Sequence, residues 1–394
     1  MRLTEEQMQE LMDRENVTRT WSWSRLGCFH NSMYEYYLHY IKLEKEDRAD
    51  SIYVVTGGLA HDILEKFYNN EIKYDDMLDL FYDGWITAYD MAELKFDRTD
   101  EEKNKKLADK YCSNLIHFFK NHDVMNNPLM EQFVKIKVGN NLLIGYIDAV
   151  TKDDNGCINV IDFKTSSIYK GKNLLDKSGQ LCLYCLGLMQ QGVPLEKLKA
   201  SFNFLKYCNI EYQQANGTVK ERTVERIKIG ESLQSNLKMW LKKLDYQEED
   251  INIICDAILK SNDINVLPDN VKCKYKVKDC YVYVPLSQEL LDKWQDYIIT
   301  TIKDIELREA DYEKTKSDKC FWDNEEDVKA QSFYFANLCA YSRNKHKPYN
   351  EYLEKLEQLE KEKNNLFSNV GSDSLEVKTS SKVDDDLSWL NDLM

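Results

Sequence analysis

Asp148, Asp162 and Lys164 are the residues of this chain best placed to do chemistry together. The sequence around them reads Gly145-Tyr-Ile-Asp148-Ala-Val, then Asp153-Asp-Asn155-Gly156, then Val160-Ile-Asp162-Phe-Lys164-Thr. Asn-Gly between two alternating apolar runs is a strong hairpin signal. Folding the runs back about Asn155 sets Asp148 opposite Asp162 on one face of the ribbon. Directly opposed side chains have Cβ atoms roughly 4.5–5.5 Å apart, where like charges repel. Lys164 follows on the same face, because side chains alternate along a strand. Two carboxylates so placed suit a hard divalent cation such as Mg²⁺. Such an ion polarises a phosphodiester and makes hydroxide available near neutral pH. A neighbouring ammonium can orient the attacking water or stabilise charge on the phosphorane. The alternative is a surface hairpin whose Asp and Lys merely pair with each other.

The flanking pattern says what must hold these groups. Ile147, Ala149, Ile161 and Phe163 take the opposite face and read as core. From Glu131 the periodicity changes from helical to alternating, giving strands at Phe133 to Val138, Leu142 to Thr151 and Cys157 to Thr165. Leu174 to Gln191 is helical, with Leu181, Tyr184, Cys185 and Leu188 on one stripe, and Ser201 to Cys208 returns to strand. Helix, three antiparallel strands, helix, strand describes an α/β sandwich core. Cys182-x-x-Cys185 lies on the helix stripe and reads as core rather than as a zinc site.

Upstream, residues 3–15 form a short polar helix. Ser22 or Ser24 can cap a helix running to about Leu43, whose tyrosines Tyr34, Tyr36, Tyr37 and Tyr40 read as packing more readily than as a base-stacking platform. Thr56-Gly57-Gly58-Leu-Ala-His61 opens another helix, and the paired glycines would let its backbone approach something closely. Taken alone, His61 is as readily a surface or core group as a ligand. Helices from Met77 to Leu94 and Lys105 to Phe119 then cover the sheet.

Beyond Cys208 a second hairpin is expected, Ile210 to Gln214 and Arg222 to Ile229, followed by helices near 231–244 and 249–260. Val271 to Lys278, read as a strand, puts Lys272, Lys274, Lys276 and Lys278 on one face. That lysine comb would either track a phosphate backbone or guard a sheet edge. Ser287 to Lys314 and Tyr349 to Asn364 are helical. The chain divides into an N-terminal helical region (1–130) carrying His61, a core (131–208), an accessory hairpin and helical region packed on it (209–365), and a flexible acidic tail (366–394). The tail ends Asp384-Asp-Asp-Leu-Ser-Trp389-Leu-Asn-Asp-Leu-Met394. Leu387, Trp389 and Leu393 after an acidic start suit a peptide that folds into a partner's groove, or a tail that docks on its own domain.

With 43% apolar and 12% aromatic residues the chain can fill a core. No run of ~18 apolar residues predicts a membrane span, and the N-terminus lacks a signal-peptide core. Eleven cysteines, an odd number, point to reduced thiols and hence to a cytoplasmic protein. The formal charge of −15 argues against a processive, sequence-independent DNA binder. It does not exclude local binding, which depends on the field in a cleft.

Laid out together, these residues resemble the RecB-type nucleases of the PD-(D/E)XK superfamily, most of all its phage and CRISPR-adaptation exonucleases. The resemblance covers roughly residues 21–345. It implies a restriction-endonuclease-like core, a central mixed sheet flanked by helices, with helical N- and C-terminal additions. Gly57-Gly-Leu-Ala-His61 matches the family's Gly-x-x-x-His motif, implying that His61 is a metal ligand. Gly145-Tyr-Ile-Asp148 and Asp162-Phe-Lys164 match the motifs that supply two acidic ligands and the catalytic lysine, with the Phe163 carbonyl as a further ligand. Gln180 and Tyr184 match a Gln-x-x-x-Tyr motif that would hold the substrate strand, and Glu131 is a possible additional acidic partner. The implied activity is Mg²⁺- or Mn²⁺-dependent DNA hydrolysis, as an exonuclease in recombination, repair or phage DNA processing. A structure-specific endonuclease, or a DNA-binding or assembly module recruited through residues 384–394 to a recombination or replication protein, are the alternatives. Many relatives hold an iron–sulfur cluster on four cysteines. Here Cys28, Cys320 and Cys339 lack the required spacing, and Ser32 stands where the N-terminal ligand would be. Four thiolates are needed, so no iron–sulfur cluster is expected.

Overall fold

The structure, a computed structural model, describes residues 3–90, 94–96 and 100–370. Its centre is a six-stranded mixed sheet, β1 (Leu129–Val138), β2 (Asn141–Lys152), β3 (Ile158–Lys164), β4 (Leu198–Gln213) and β5 (Val219–Glu225) in that order, with β6 (Tyr275–Tyr283) also pairing with β4. The first three strands are an antiparallel meander, and β4 runs parallel to β3. A parallel neighbour needs a crossover, supplied here by helices over residues 171–190. The hairpin pivots about Asn155 as the sequence predicts, since Lys152 faces Ile158. Gly156 adopts φ +76°, and Asp153 Oδ1 accepts from the backbone N–H of Asn155 and Cys157.

Helices clothe both faces of the sheet. Numbered along the chain they are α1 (Glu5–Glu15), α2 (Trp23–Asn31), α3 (Met33–Tyr36), α4 (Ile52–Tyr68), α5 (Asp76–Asp90), α6 (Glu101–Lys120), α7 (Gly171–Lys177), α8 (Gly179–Gln190), α9 (Ile229–Lys243), α10 (Glu248–Ser261), α11 (Asp269–Lys272), α12 (Gln288–Thr315), α13 (Glu325–Ala330), α14 (Ser332–Asn337) and α15 (Lys347–Val370). On one face α2, α8 and α12 build the largest apolar cluster, with Leu181, Val134, Phe202, Trp294 and Ile298. On the other, α4, α5 and α6 bury Ile63, Phe81 and Phe118 against Ala149, Ile161 and Phe163. Ile147 is buried too, but in the cluster of the α2–α8–α12 face, so the four residues expected on one face are buried on two. A third cluster joins α9, α10 and α11 to β4 and β6 through Leu237, Trp240, Ile258 and Tyr275. No described helix is long and apolar enough to cross a membrane.

Several elements depart from the sequence reading, each for a local reason. The helix expected to reach Leu43 breaks at Ser32, whose extended backbone (φ −157°) ends α2 and whose Oγ accepts from Glu35 N–H to start α3. Residues Tyr37–Ile41 then form a π-helical turn. Ser32 is held in that conformation by a buried chain of bonds. The Tyr349 N–H donates to His346 Nδ1, which leaves Nε2 to donate to Ser32 Oγ (2.8 Å), and that hydroxyl donates to Asp323 Oδ2 (2.7 Å). The second helix starts at Ile52 rather than Thr56, with Ser51 as its cap. A Cβ on Gly58 would meet nothing within 4 Å, and one on Gly57 only an ordinary contact with Thr165, so packing within this chain requires neither glycine. β4 runs unbroken through Cys208 to Gln213, where a separate hairpin strand was expected. Asn209 is a turn former by type, yet it and Glu211 alternate with buried Cys208, Ile210 and Tyr212.

The lysine comb is also broken. Lys272 ends the short helix α11, and the strand begins only at Tyr275. Lys274 lies over the Trp240 ring at 4.8 Å, and Lys278 pairs with Glu211. Pro268 starts a helical turn that the alternation of lysines hides. Lys276 is exposed on β6, which among the described strands pairs with β4 alone, so the surviving lysines sit on a sheet edge. Residues 366–370 of the expected tail continue α15, and the rest of it, the 384–394 peptide included, lies outside the described residues.

Candidate active site

The β2–β3 ladder runs from Lys152↔Ile158 to Ala149↔Ile161. The next residues in register are Asp148 and Asp162, and there the two strands part. The Phe163 N–H donates to the Asp148 side chain (Oδ2, 2.9 Å) in place of a backbone carbonyl. On the other side of β2, the pairs Met130↔Ala149 and Gln132↔Ile147 bring Glu131 level with Asp148. Glu131 has φ +47°, uncommon for a residue with a side chain. Three acidic positions therefore stand in one row across β1, β2 and β3, on strands about 4.8 Å apart. Sequence reasoning placed the two aspartates correctly but gave Glu131 no geometry. The signal was there, because the register that aligns Asp148 with Asp162 also aligns Glu131 once the turn at residues 139–140 is counted.

Burial sets the electrostatics of this row. Asp162 is 2% exposed. Lys164 Nζ lies 2.5 Å from its Oδ2 and forms an ion pair with that buried oxygen. Burial pushes the Asp148 carboxyl up, to about 6, and the nearby Asp162 charge adds to the rise; His61, Lys164 and the Phe163 N–H pull against it. Burial alone would lower the Lys164 ammonium, but the Asp162 charge and contact outweigh it and the net shift is upward. Each carboxylate thus destabilises the other, and local positive charge only partly offsets this.

His61 reaches the row from α4. Its Nε2 lies 3.0 Å from the Phe163 carbonyl, which only accepts, so Nε2 carries the proton. In the neutral ring, Nδ1 then points a lone pair at Asp148 Oδ2, 3.5 Å away. Two electron-rich atoms facing each other are stable only with a proton or a cation between them. Among the described residues, no three His, Cys, Asp or Glu side chains already converge as a finished metal-binding group. Instead His61 covers the Phe163 carbonyl and Lys164 covers Asp162. The Asp148–His61 lone-pair contact is nonetheless what a cation would satisfy. Two carboxylates, a carbonyl oxygen and an imidazole fit a hard to borderline divalent ion.

Gln180 and Tyr184 lie one turn apart on α8, and Gln180 Nε2 donates to Tyr184 Oη at 2.9 Å. Tyr184 is buried, which holds its phenol above the ordinary range, and the charges of Asp162, Asp148 and Glu131 all act on it. It packs against the backbone of Gly145, where a Cβ would stand 2.5 Å from its ring. That contact explains the glycine of the Gly-Tyr-Ile-Asp run. Two more glycines seat α8: Gly179 against Trp23 and Gly187 against Val134 and Ile136. Trp294 donates to Ser178 Oγ (3.2 Å) and meets Trp23 edge-on at 5.5 Å, fixing the start of α8. Gly145→Ala should therefore displace Tyr184 and Gln180 together. We expect a loss of about 1–3 kcal/mol in stability from overpacking, read as a lower Tm, with a Tyr184→Phe change restoring none of it because the clash is with the ring.

The site thus brings together His61, Asp148, Asp162, Phe163, Lys164, Gln180, Tyr184 and Glu131. It leaves out the lysines of 272–276, since Lys276 pairs with Glu211, seven residues along β4 from Phe204, the partner of Lys164. At the rise of a strand that is roughly 20 Å. All eleven cysteines are free, with Cys182 and Cys185 inside the largest apolar cluster.

This core and site define a class. The sequence profile of the PD-(D/E)XK nuclease superfamily matches residues 20–325, most of the chain. The protein belongs to that superfamily, and is a nuclease of a group that works with divalent metals. No curated protein sequence matches it.

Proposed function

We propose that this protein is a Mg²⁺- or Mn²⁺-dependent deoxyribonuclease that degrades DNA from its ends, serving recombination, repair or phage DNA processing in a bacterial cytoplasm. The observation that carries the site assignment is the in-register pair Asp148 and Asp162 at the strand fork, with His61 and Lys164 in contact. Asp148, Asp162, His61 and the Phe163 carbonyl hold the cation, and Glu131 extends the acidic row at its edge. A divalent ion there supplies Lewis acidity to the scissile phosphodiester and lowers the pKa of the attacking water. Lys164, beside Asp162, is placed to hold the attacking water by hydrogen bonding and would meet the charge that develops on phosphorus. Gln180 and Tyr184, locked to each other and to Gly145, position the strand from the α8 side.

End-labelled linear duplex, closed circular duplex and single-stranded DNA, each with Mg²⁺, Mn²⁺ or chelator, test this reading. Progressive loss of linear DNA with circles intact is the expected pattern. Cleavage of circles would make the enzyme an endonuclease, and activity in chelator would remove the metal from the account.

The raised Asp148 carboxyl also makes cation binding sensitive to pH. A proton must leave Asp148 before it can act as a ligand, so protons compete with the ion below pH 6. The apparent affinity for Mn²⁺, measured by calorimetry, should fall about tenfold between pH 7.5 and pH 5. An affinity that does not change over that range would exclude Asp148 as a ligand.

A further inference from the structure

A nuclease must seat a polyanion, and this chain carries a formal charge of −15. Its clefts differ sharply in charge. The one between α2 and α12 sets Lys293 and His30 against four aspartates. The clefts beside the β1–β2 turn and beside Tyr283 are nearly balanced. A fourth, of about 810 Å³, lies between α6, the exit of β5 and the end of α10. Lys106, Lys110, Lys120, Lys228 and Lys260 line it against three acids.

Two of those lysines are already engaged, Lys106 with Glu102 (2.7 Å) and Lys110 with Glu225 (2.8 Å). Lys120, Lys228 and Lys260 are exposed and have no carboxylate partner among the described residues. The cleft also starts close to the chemistry. Lys206 on β4 is buried, with Nζ 3.6 Å above the Tyr111 ring, and feels both Lys110 and Glu225 of the cleft wall. Burial, with Lys110 adding and Glu225 opposing, pushes its ammonium down to about 7. Lys206 lies two residues past Phe204, the cross-strand partner of Lys164. That is about 7 Å along the sheet and one strand over. No arginine lines the cleft to grip a single phosphate with a paired fork. Ammonium groups on long stems act as point charges, which suits a repeating backbone more than one fixed anion.

We propose that this cleft holds the phosphodiester backbone of the DNA strand that runs through the active site, with Lys120, Lys228 and Lys260 as the phosphate contacts. The assignment rests on the nuclease reading and adds the path its substrate takes. Each phosphate contact releases counterions, so the salt dependence of binding counts contacts.

The test is fluorescence-anisotropy binding of labelled single-stranded and duplex oligonucleotides in chelator, where no cleavage occurs, from 50 to 200 mM salt. K228E/K260E is compared with wild type and with K303E/K361E, which makes the same charge change at exposed lysines outside the cleft. The cleft variant should bind at least tenfold more weakly at 100 mM salt. Its slope of log affinity against log salt should be shallower by about 0.7–0.9 per lysine removed, while the distant variant moves neither value by more than twofold. Unchanged affinity and slope in K228E/K260E, or an equal loss in K303E/K361E, would overturn the proposal. Failure of the wild-type protein to cleave DNA with Mg²⁺ or Mn²⁺ would instead sink the nuclease reading, so the two failures are distinct.

Discussion

Asp148→Asn should lose at least three orders of magnitude in DNA cleavage and yet gain stability at neutral pH. With its amide oxygen at the Oδ2 position the asparagine keeps the acceptor for the Phe163 N–H, and a neutral amide oxygen replaces the carboxylate that faces His61 Nδ1. It removes a charge that burial and Asp162 both oppose. The sign follows from linkage. The folded-state carboxyl titrates near 6 against about 3.8 in the unfolded chain, so the fold binds the proton more tightly. Stability from this group is full below the unfolded value and is lost as pH rises through 6. The asparagine variant escapes that loss, worth roughly 1–3 kcal/mol at pH 7.5. Its Tm advantage should shrink by about half at pH 5 and be nearly gone at pH 4. Full activity would dismiss Asp148 from the chemistry, and a variant less stable than wild type at pH 7.5 would contradict the electrostatics of the fork.

The opposite outcome is expected on the far side of the sheet, where Asp279→Ala should cost about 3–5 kcal/mol and lower Tm by several degrees. Asp279 on β6 is buried between two partners, Arg226 Nη2 on Oδ1 (2.5 Å) and His122 Nδ1 on Oδ2 (2.6 Å). His122 Nε2 in turn meets Tyr68 Oη at 2.5 Å, at the end of the helix that carries His61. Burial by itself would raise the Asp279 carboxyl, but Arg226 and His122 more than reverse this and hold it low. Its contribution is therefore present above the unfolded value and is lost only as pH falls through the depressed one. Removing the carboxylate strands Arg226, whose side chain is fully buried and already has one nitrogen without a partner. Thermal unfolding of Asp279→Ala, with Asp279→Asn as the isosteric comparison, measures the effect. A change within about 0.5 kcal/mol would show that the pair only breaks even.

The two aspartates behave differently although both are buried in the same sheet. Neither difference is visible in the chain as text, where each is an Asp in an alternating run. The hairpin about Asn155 was legible because turn chemistry and alternation are local and agree. The register then placed Asp148, Asp162 and Lys164 without further information. His61 needed a long-range contact, 102 residues away at Phe163, and only the resemblance to known motifs singled it out. What stayed hidden is what depends on distant partners. The break at Ser32 is imposed by Asp323 and His346, so local propensity carried the expected helix straight through it. The strand through Cys208 is hard to read past Asn209, a turn former by type, although buried Cys208 and Ile210 on either side keep it in the sheet. The lysines of 272–278 alternate by spacing, but a helical turn after Pro268 takes the first of them out of the strand.

The buried hydroxyl at position 32 bonds to side chains 291 and 314 positions downstream. A nascent chain leaving the ribosome N-terminus first therefore completes its sheet, and the whole nuclease row, before the groups that fix its opening helices exist. Until residue 346 has emerged, the break between α2 and α3 has no buried partner to hold it. Those first turns must wait unpaired through most of translation, and a polypeptide that stops short of His346 would leave Tyr34, buried in the finished protein, without the imidazole that packs against its ring.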